Sequence, residues 1–199
     1  MLVKKTVLGV YQENAYILID DTTRDALIID PGDEGESLVR YLESLKINLK
    51  AILLTHGHVD HVGAVDAVRE AFSVPVYISE IDMKFIEQRK MAFGKMKRAD
   101  YFLKEGDEFI FSGKKVEIIE TPGHSRGSLS YYVDGLLFSG DVLFQNSVGR
   151  TDLPGGNMEE LLYSIKEKLM KLPGETRVFP GHGPETTLAM EKAFNGYLR

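Results

Sequence analysis

The chain contains no cysteine among its 199 residues. That excludes a disulfide framework, zinc–thiolate and iron–sulfur clusters, and a thiol nucleophile. No apolar run approaches the roughly 20 residues that a membrane-spanning helix needs. The N-terminal apolar stretch breaks at Tyr11-Gln12-Glu13-Asn14 without a small-residue cleavage site, so it does not read as a secretory signal. These absences predict a cytoplasmic protein with no membrane partner. Positive charge is also short, with 24 Lys and Arg against 30 Asp and Glu and a formal net charge of −6. That balance argues against nucleic acid as a partner, because phosphate binding needs a basic surface. Lys84, Arg89, Lys90, Lys95, Lys97 and Arg98 form a local basic group that reads as a solvated helix face. Histidine is scarce as well, at five residues.

What is there is concentrated. All five histidines fall in three short stretches: Thr55-His56-Gly57-His58-Val59-Asp60-His61, Thr121-Pro122-Gly123-His124 and Pro180-Gly181-His182-Gly183. Neutral imidazole is the commonest metal ligand among side chains. Four ligands in six residues, at 56, 58, 60 and 61, cannot all reach one ion without strain, but they can serve two. His124 and His182 can each complete one set, and the two oxygens of Asp141 can bridge. Such a site holds ions roughly 3.5–4 Å apart and shares a water whose pKa falls towards 7. Nitrogen and carboxylate donors without sulfur suit zinc, and iron or manganese also fit.

The surrounding pattern alternates strands and helices. Strands are predicted over 6–10, 15–19, 26–29, 51–54, 74–78, 108–111, 116–119 and 177–179, with a hairpin of 129–133 and 136–138 across Asp134-Gly135. Helices are predicted over 35–46, 61–72, 158–171 (capped by Asn157, with Glu160 three residues on) and 184–195. Segment 80–104 is charged and Met-rich and takes no definite place. Three apolar strands run straight into a histidine turn, and 136–138 runs into Ser139-Gly140-Asp141. Strand ends can bring ligands to one sheet edge.

His56-x-His58-x-Asp60-His61 with His124, Asp141 and His182, in that order, resembles the metallo-β-lactamase superfamily from Asp30-Pro31-Gly32 to Pro180-Gly181-His182-Gly183-Pro184. The resemblance implies an α/β fold, a four-layer αβ/βα sandwich of two mixed sheets with helices on the outer faces. By that correspondence His56, His58 and His124 hold one metal, Asp60, His61 and His182 hold the second, and Asp141 bridges. Gly123-His124-Ser125-Arg126-Gly127-Ser128-Leu129-Ser130-Tyr131, Ser139 to Phe144 and Gly149-Arg150-Thr151-Asp152 resemble glyoxalase II and its relatives. That branch carries a C-terminal helical domain that helps grip glutathione. Here residues 183–199 alone follow the last histidine, so a single domain over 1–199 is expected, like the short bacterial type. Two tyrosines of the branch are missing: Asp152 stands at one position and Gly183-Pro184 at the other.

The implied reaction is hydrolysis of a small-molecule thioester by a metal-bridging hydroxide oriented by Asp60. A thiolate leaves without a proton donor, since a thiol pKa lies near 8.5. That suits a chain with no spare histidine. Arg150 is the candidate contact for a substrate carboxylate. Asp30 and Thr55 are candidates to hold the ligands' outer ring nitrogens. Tyr131, Tyr132 and Phe144 read as core or pocket lining. A persulfide dioxygenase with a single iron on His56, His124 and Asp141 is the main alternative. A lactonase or phosphodiesterase is the next, and a non-catalytic metal-binding protein the last.

Overall fold

The computed structural model describes residues 1–199, which divide into two compact units, Met1–Leu103 and Lys104–Arg199. The first contains β1 (Leu2–Leu8), β2 (Glu13–Ile19), β3 (Asp25–Ile29), α1 (Gly35–Ser44), β4 (Asn48–Leu53), α2 (Val59–Val62), α3 (Val65–Phe72), β5 (Val76–Ile78), α4 (Glu80–Glu87) and β6 (Tyr101–Phe102). Its six strands pair in sequence order, antiparallel from β1 to β3 and parallel from β3 to β6. The second contains β7 (Phe109–Phe111), β8 (Lys114–Glu120), β9 (Leu129–Val133), β10 (Leu136–Gly140), β11 (Leu143–Phe144), β12 (Ser147–Val148), α5 (Met158–Glu167), β13 (Arg177–Pro180), β14 (Thr186–Thr187) and α6 (Leu188–Phe194). Six of these strands form a sheet in the order β14-β13-β10-β9-β8-β7, with β10 and β13 parallel and the other pairs antiparallel. The pair β11–β12 is a separate hairpin. No helix is long and apolar enough to cross a membrane.

Burial explains the register. Strand β2 is buried at all seven positions, as a strand covered on both faces must be. Ile17, Ile28 and Ile52 join Leu38 and Leu42 of α1 and Val65 and Val68 of α3 in one core. In the second unit Leu137 and Val178 pack with Leu161 and Ile165 of α5 and Leu188 of α6. Each helix thus covers its own sheet with an apolar stripe.

Several predicted boundaries shift for visible reasons. The expected helix over 61–72 is two helices. The amides of Gly63 and Ala64 donate to the carbonyls of Gly32 and Pro31, at 2.8 and 3.0 Å, so the helical ladder breaks there. The expected helix over 158–171 ends at Glu167 and continues as a 3₁₀ turn, Leu169–Lys171; Asn157 caps its start, accepting from the amides of Glu159 and Glu160. Helix 184–195 starts only at Leu188, because Thr186–Thr187, β-branched residues, pair with β13 first. The first strand begins at Leu2 rather than 6 and stops before Gly9, which turns with a φ of 62°. Segment 80–104 supplies α4 and β6, with Lys84, Lys97 and Arg98 paired to Glu80, Glu70 and Glu87 on the surface.

Gly123 packs directly against α5 and has a φ of 136°. A Cβ there would lie 2.3 Å from the backbone of Leu161 in α5. Replacing it with alanine combines left-handed strain with a backbone clash. Gly123→Ala is expected to lower the unfolding free energy by roughly 3 kcal/mol in urea. A wild-type midpoint would refute that close approach.

Candidate metal centre

Strand β4 is apolar and buried at its end, and it delivers Thr55 and His56 into the turn before α2. One carboxylate organises that turn. Asp30 closes β3 with a φ of 50°, a left-handed conformation that Asp tolerates better than most residues. Its Oδ1 accepts the Thr55 amide at 2.7 Å, and its Oδ2 accepts the Thr55 hydroxyl at 2.5 Å. The same Oδ2 lies 3.0 Å from His61 Nδ1. Thr55 Oγ1, having given its proton to Asp30, accepts from His56 Nδ1 at 3.0 Å. Both histidines therefore carry their proton on Nδ1 and keep the Nε2 lone pair.

The three imidazoles of this turn are packed together and buried. The His56 ring lies 4.6 Å from His58 and 4.0 Å from His61, centroid to centroid. Asp30, His56 and His61 each offer a ligand atom within 4.8 Å of the others. Glu13, fully buried, brings Oε1 to 4.0 Å from His61 Nδ1. Neither Glu13 nor Asp82, whose Oδ2 accepts the Gly57 amide at 2.9 Å, is marked by the histidine pattern. The signal for Asp82 is the Ser79-x-x-Asp82 cap of α4, in which Ser79 Oγ accepts the Asp82 amide. Gly32 has no room for a side chain, since a Cβ would stand 1.8 Å from the Asp60 carbonyl. Asp60 itself is half-buried.

The second unit presents His124, Asp141 and His182. A register shift between Phe138 and Gly140 disturbs β10 just before Asp141, as bulges beside functional sites do. The Gly181 amide donates to the Gly140 carbonyl at 2.9 Å, which ties the His182 turn to the Asp141 turn. Asp141 Oδ2 lies 3.6 Å from His124 Nε2 and 3.5 Å from His182 Nε2. These are long for hydrogen bonds. Two ligands that each stand about 2.0–2.2 Å from one ion end up at roughly this separation. Helix α5 holds the His124 turn: the Asn157 amide donates to the Gly123 carbonyl and Ser164 Oγ to the Pro122 carbonyl, both at 2.8 Å.

Arg150 sits here in two parts. Its carbonyl accepts from His124 Nδ1 at 2.8 Å, a role that sequence alone does not mark because any residue has a carbonyl. Its exposed guanidinium grips both oxygens of Asp152 at 2.7 Å. The loop that carries it is braced by Glu191 of α6, which is buried and accepts from the Asn146 amide, Thr186 Oγ1 and Asn195 Nδ2. Tyr131 is core, whereas Phe144 is half-buried with its ring 6.3 Å from that of His182.

These residues fit divalent cations. The donors are imidazole nitrogen and carboxylate oxygen. In His56, His61 and His124 an acceptor holds the Nδ1 proton, the outer hydrogen bond that metal-binding histidines make.

Residues 8–182 match the family described as "Metallo-beta-lactamase superfamily". The chain is 43% identical to "Probable metallo-hydrolase YqgX" of Bacillus subtilis (strain 168), covering 98% of this chain and 96% of that protein. It is 38% identical to "Hydroxyacylglutathione hydrolase GloC" of Haemophilus influenzae, over 94% of this chain and 93% of that one. Among solved structures it matches the BLEG-1 B3 metallo-β-lactamase with a TM-score of 0.92 and 42% identity, covering 99% of both chains. TTHA1623 in a di-iron-bound form matches with a TM-score of 0.88 and 40% identity, over 98% of this chain and all of that one. ETHE1 from Myxococcus xanthus matches with a TM-score of 0.84 and 30% identity, over 98% and 84%.

The Arg150 hydrogen bonds, more than any other influence, hold the Asp152 carboxyl down to about 2. A carboxylate depressed in the folded chain adds stability above its unfolded pKa and loses it as the pH falls through the folded value. The pair is thus intact at pH 4 and dissolves near pH 2. A carbon-13 NMR titration of Asp152 is expected to show that low midpoint, and Arg150→Ala to raise it towards the usual value near 3.9. A midpoint indifferent to Arg150 would refute the pairing.

Proposed function

Because the chain belongs to the metallo-β-lactamase superfamily, we propose that it is a dinuclear metal-dependent hydrolase of small hydroxyacyl thioesters. In this reading His56, His58 and His124 would hold one ion, Asp60, His61 and His182 would hold the other, and Asp141 would be shared by both. Zinc is the metal proposed, with iron or manganese as substitutes. The observation that carries the reading is the oxygen acceptor beside Nδ1 of His56, His61 and His124, which favours the tautomer whose Nε2 can bind an ion. The family match runs over both groups of ligands, which supports treating them as one centre. The di-iron-bound form of TTHA1623 supports a load of two. When bound, such ions acidify a water towards neutral pH and polarise an acyl oxygen.

The chain's residues do the rest. Asp60 accepts a hydrogen bond from the attacking water and orients it. Asp30 and Thr55 hold the His56 and His61 rings against rotation, and the Arg150 carbonyl does the same for His124. The Arg150 guanidinium is exposed, and exchanging Asp152 for a substrate carboxylate costs one surface pair for another. With all five histidines committed, no imidazole remains to protonate a leaving group. A thiolate needs no such donor, whereas an amide or β-lactam nitrogen does. The 38% identity to a protein named hydroxyacylglutathione hydrolase supports the same substrate class.

The second reading is the oxygenase with one iron on His56, His124 and Asp141, which the 30% identity to ETHE1 keeps in view. Metal analysis with activity assays separates the two. The purified protein is expected to hold two divalent ions per chain, to hydrolyse lactoyl-glutathione or a simple thioester, to lose that activity to a chelator and to regain it with zinc. It is expected to act far more slowly on a β-lactam. One iron per chain with oxygen uptake would replace this reading with the second. Two ions without hydrolysis of either thioester would remove the thioesterase claim and leave the centre.

A further inference from the structure

The first ligand turn is gripped from outside by a carboxylate that takes no part in the proposed centre. Asp82 lies in the first turn of α4 and is completely buried. Its Oδ2 accepts the Gly57 amide at 2.9 Å, between the two ligands His56 and His58. The Gly57 carbonyl is held too, accepting from the Gly94 amide at 3.0 Å. Gly57 is walled in: a Cβ there would lie 3.0 Å from both Ile86 Cδ1 and Phe93 Cδ1. Phe93 forms an isolated bridge with His58 and sets its ring edge-on, 4.8 Å from the imidazole. Segment 80–94 is therefore a clamp on the His-Gly-His turn, and Asp82 supplies its side-chain acceptor.

We propose that Asp82 is a positioning residue that fixes the His56-Gly57-His58 turn in its ion-ready shape and so sets the affinity of the ion those two histidines share. The proposal rests on the ligand assignment of the preceding reading. A turn held by a hydrogen bond to a buried side-chain acceptor has little conformational freedom left to lose when an ion binds. Freed of Asp82, the Gly57 peptide can rotate, and the flanking imidazoles lose their common aim. The acceptor oxygen is what matters here, so asparagine, which keeps one, preserves the turn.

The test uses full-length protein stripped with a chelator and titrated with cobalt(II) against a competing chelator, alongside the cobalt absorption spectrum and the unfolding midpoint of the metal-free form. Asp82→Ala is expected to weaken the tighter cobalt site about 10–100-fold, the range for lost outer contacts of a metal ligand, and to alter its visible bands. Asp82→Asn is expected to stay within about threefold of wild type with the same bands, a rescue that general loss of stability does not produce. Should Asp82→Ala fail to fold, Asp82→Glu decides: it keeps the charge but displaces the oxygen by a methylene, and about tenfold weaker binding is expected. Unchanged cobalt affinity in Asp82→Ala or Asp82→Glu, or an equal loss in Asp82→Asn and Asp82→Ala, overturns the proposal while the ligand assignment stands. Wild-type protein that binds no cobalt overturns both.

Discussion

The first unit's chemistry hangs on the carboxylate of Asp30. It is buried at the end of one parallel strand and reaches the end of the next, where it takes the Thr55 amide, the Thr55 hydroxyl and the ring N–H of His61. Burying an unsatisfied carboxylate is costly, so this group demands donors, and the demand is what orders them. Thr55 answers with two protons and hands its lone pair to His56. One anion thereby dictates the protonation of two imidazoles. The backbone accommodates it with a left-handed residue just before Pro31, and the turn that follows packs so closely on Asp60 that residue 32 has to be glycine. Strain at 30, crowding at 32 and the broken helix at 63–64 are consequences of holding that one group in place.

The second unit reaches the same end by different means. Its candidate ligands hang on backbone carbonyls: Arg150 for the His124 ring, Gly140 for the His182 turn, Gly123 and Pro122 for the cap and side chain of α5. Carbonyls belong to every residue, so this half tolerates sequence change as long as the loops keep their course. Their course is set by Gly123, by the irregularity before Asp141 and by the Glu191 brace on the 146–147 turn. The two halves thus differ in where a substitution is felt. In the first it is felt at a side chain, Asp30 or Thr55. In the second it is felt wherever packing moves a loop.

That difference also decides what a reader of the sequence can see. The strand-to-histidine junctions were legible because apolar runs and Gly-flanked histidines are local signals, and the family assignment followed from their order. The mixed two-sheet character was legible for the same reason. The outer partners were less so. Asp30 stood out beside Pro31-Gly32, but Glu13, Asp82 and Glu191 are single acids with nothing in their neighbours to say that they are buried. The Arg150 carbonyl carried no signal at all. Segment 80–104 carries no clear period: α4 is short, β6 has two residues, and the chain between them follows Gly57 and His58.

The scarcity of histidine and the absence of cysteine constrain the chain's chemistry. A histidine with its outer nitrogen held by an acceptor and its inner nitrogen given to an ion cannot also shuttle protons. Cysteine is absent, so no other side chain ordinarily titrates near neutral pH. Under the proposed ligand set, a leaving group that must be protonated has no imidazole to draw on and depends on a carboxylic acid or on water. A thiolate escapes this limit, because its own pKa lets it depart as an anion. The limit therefore falls on the leaving group and not on the acyl group, which can vary.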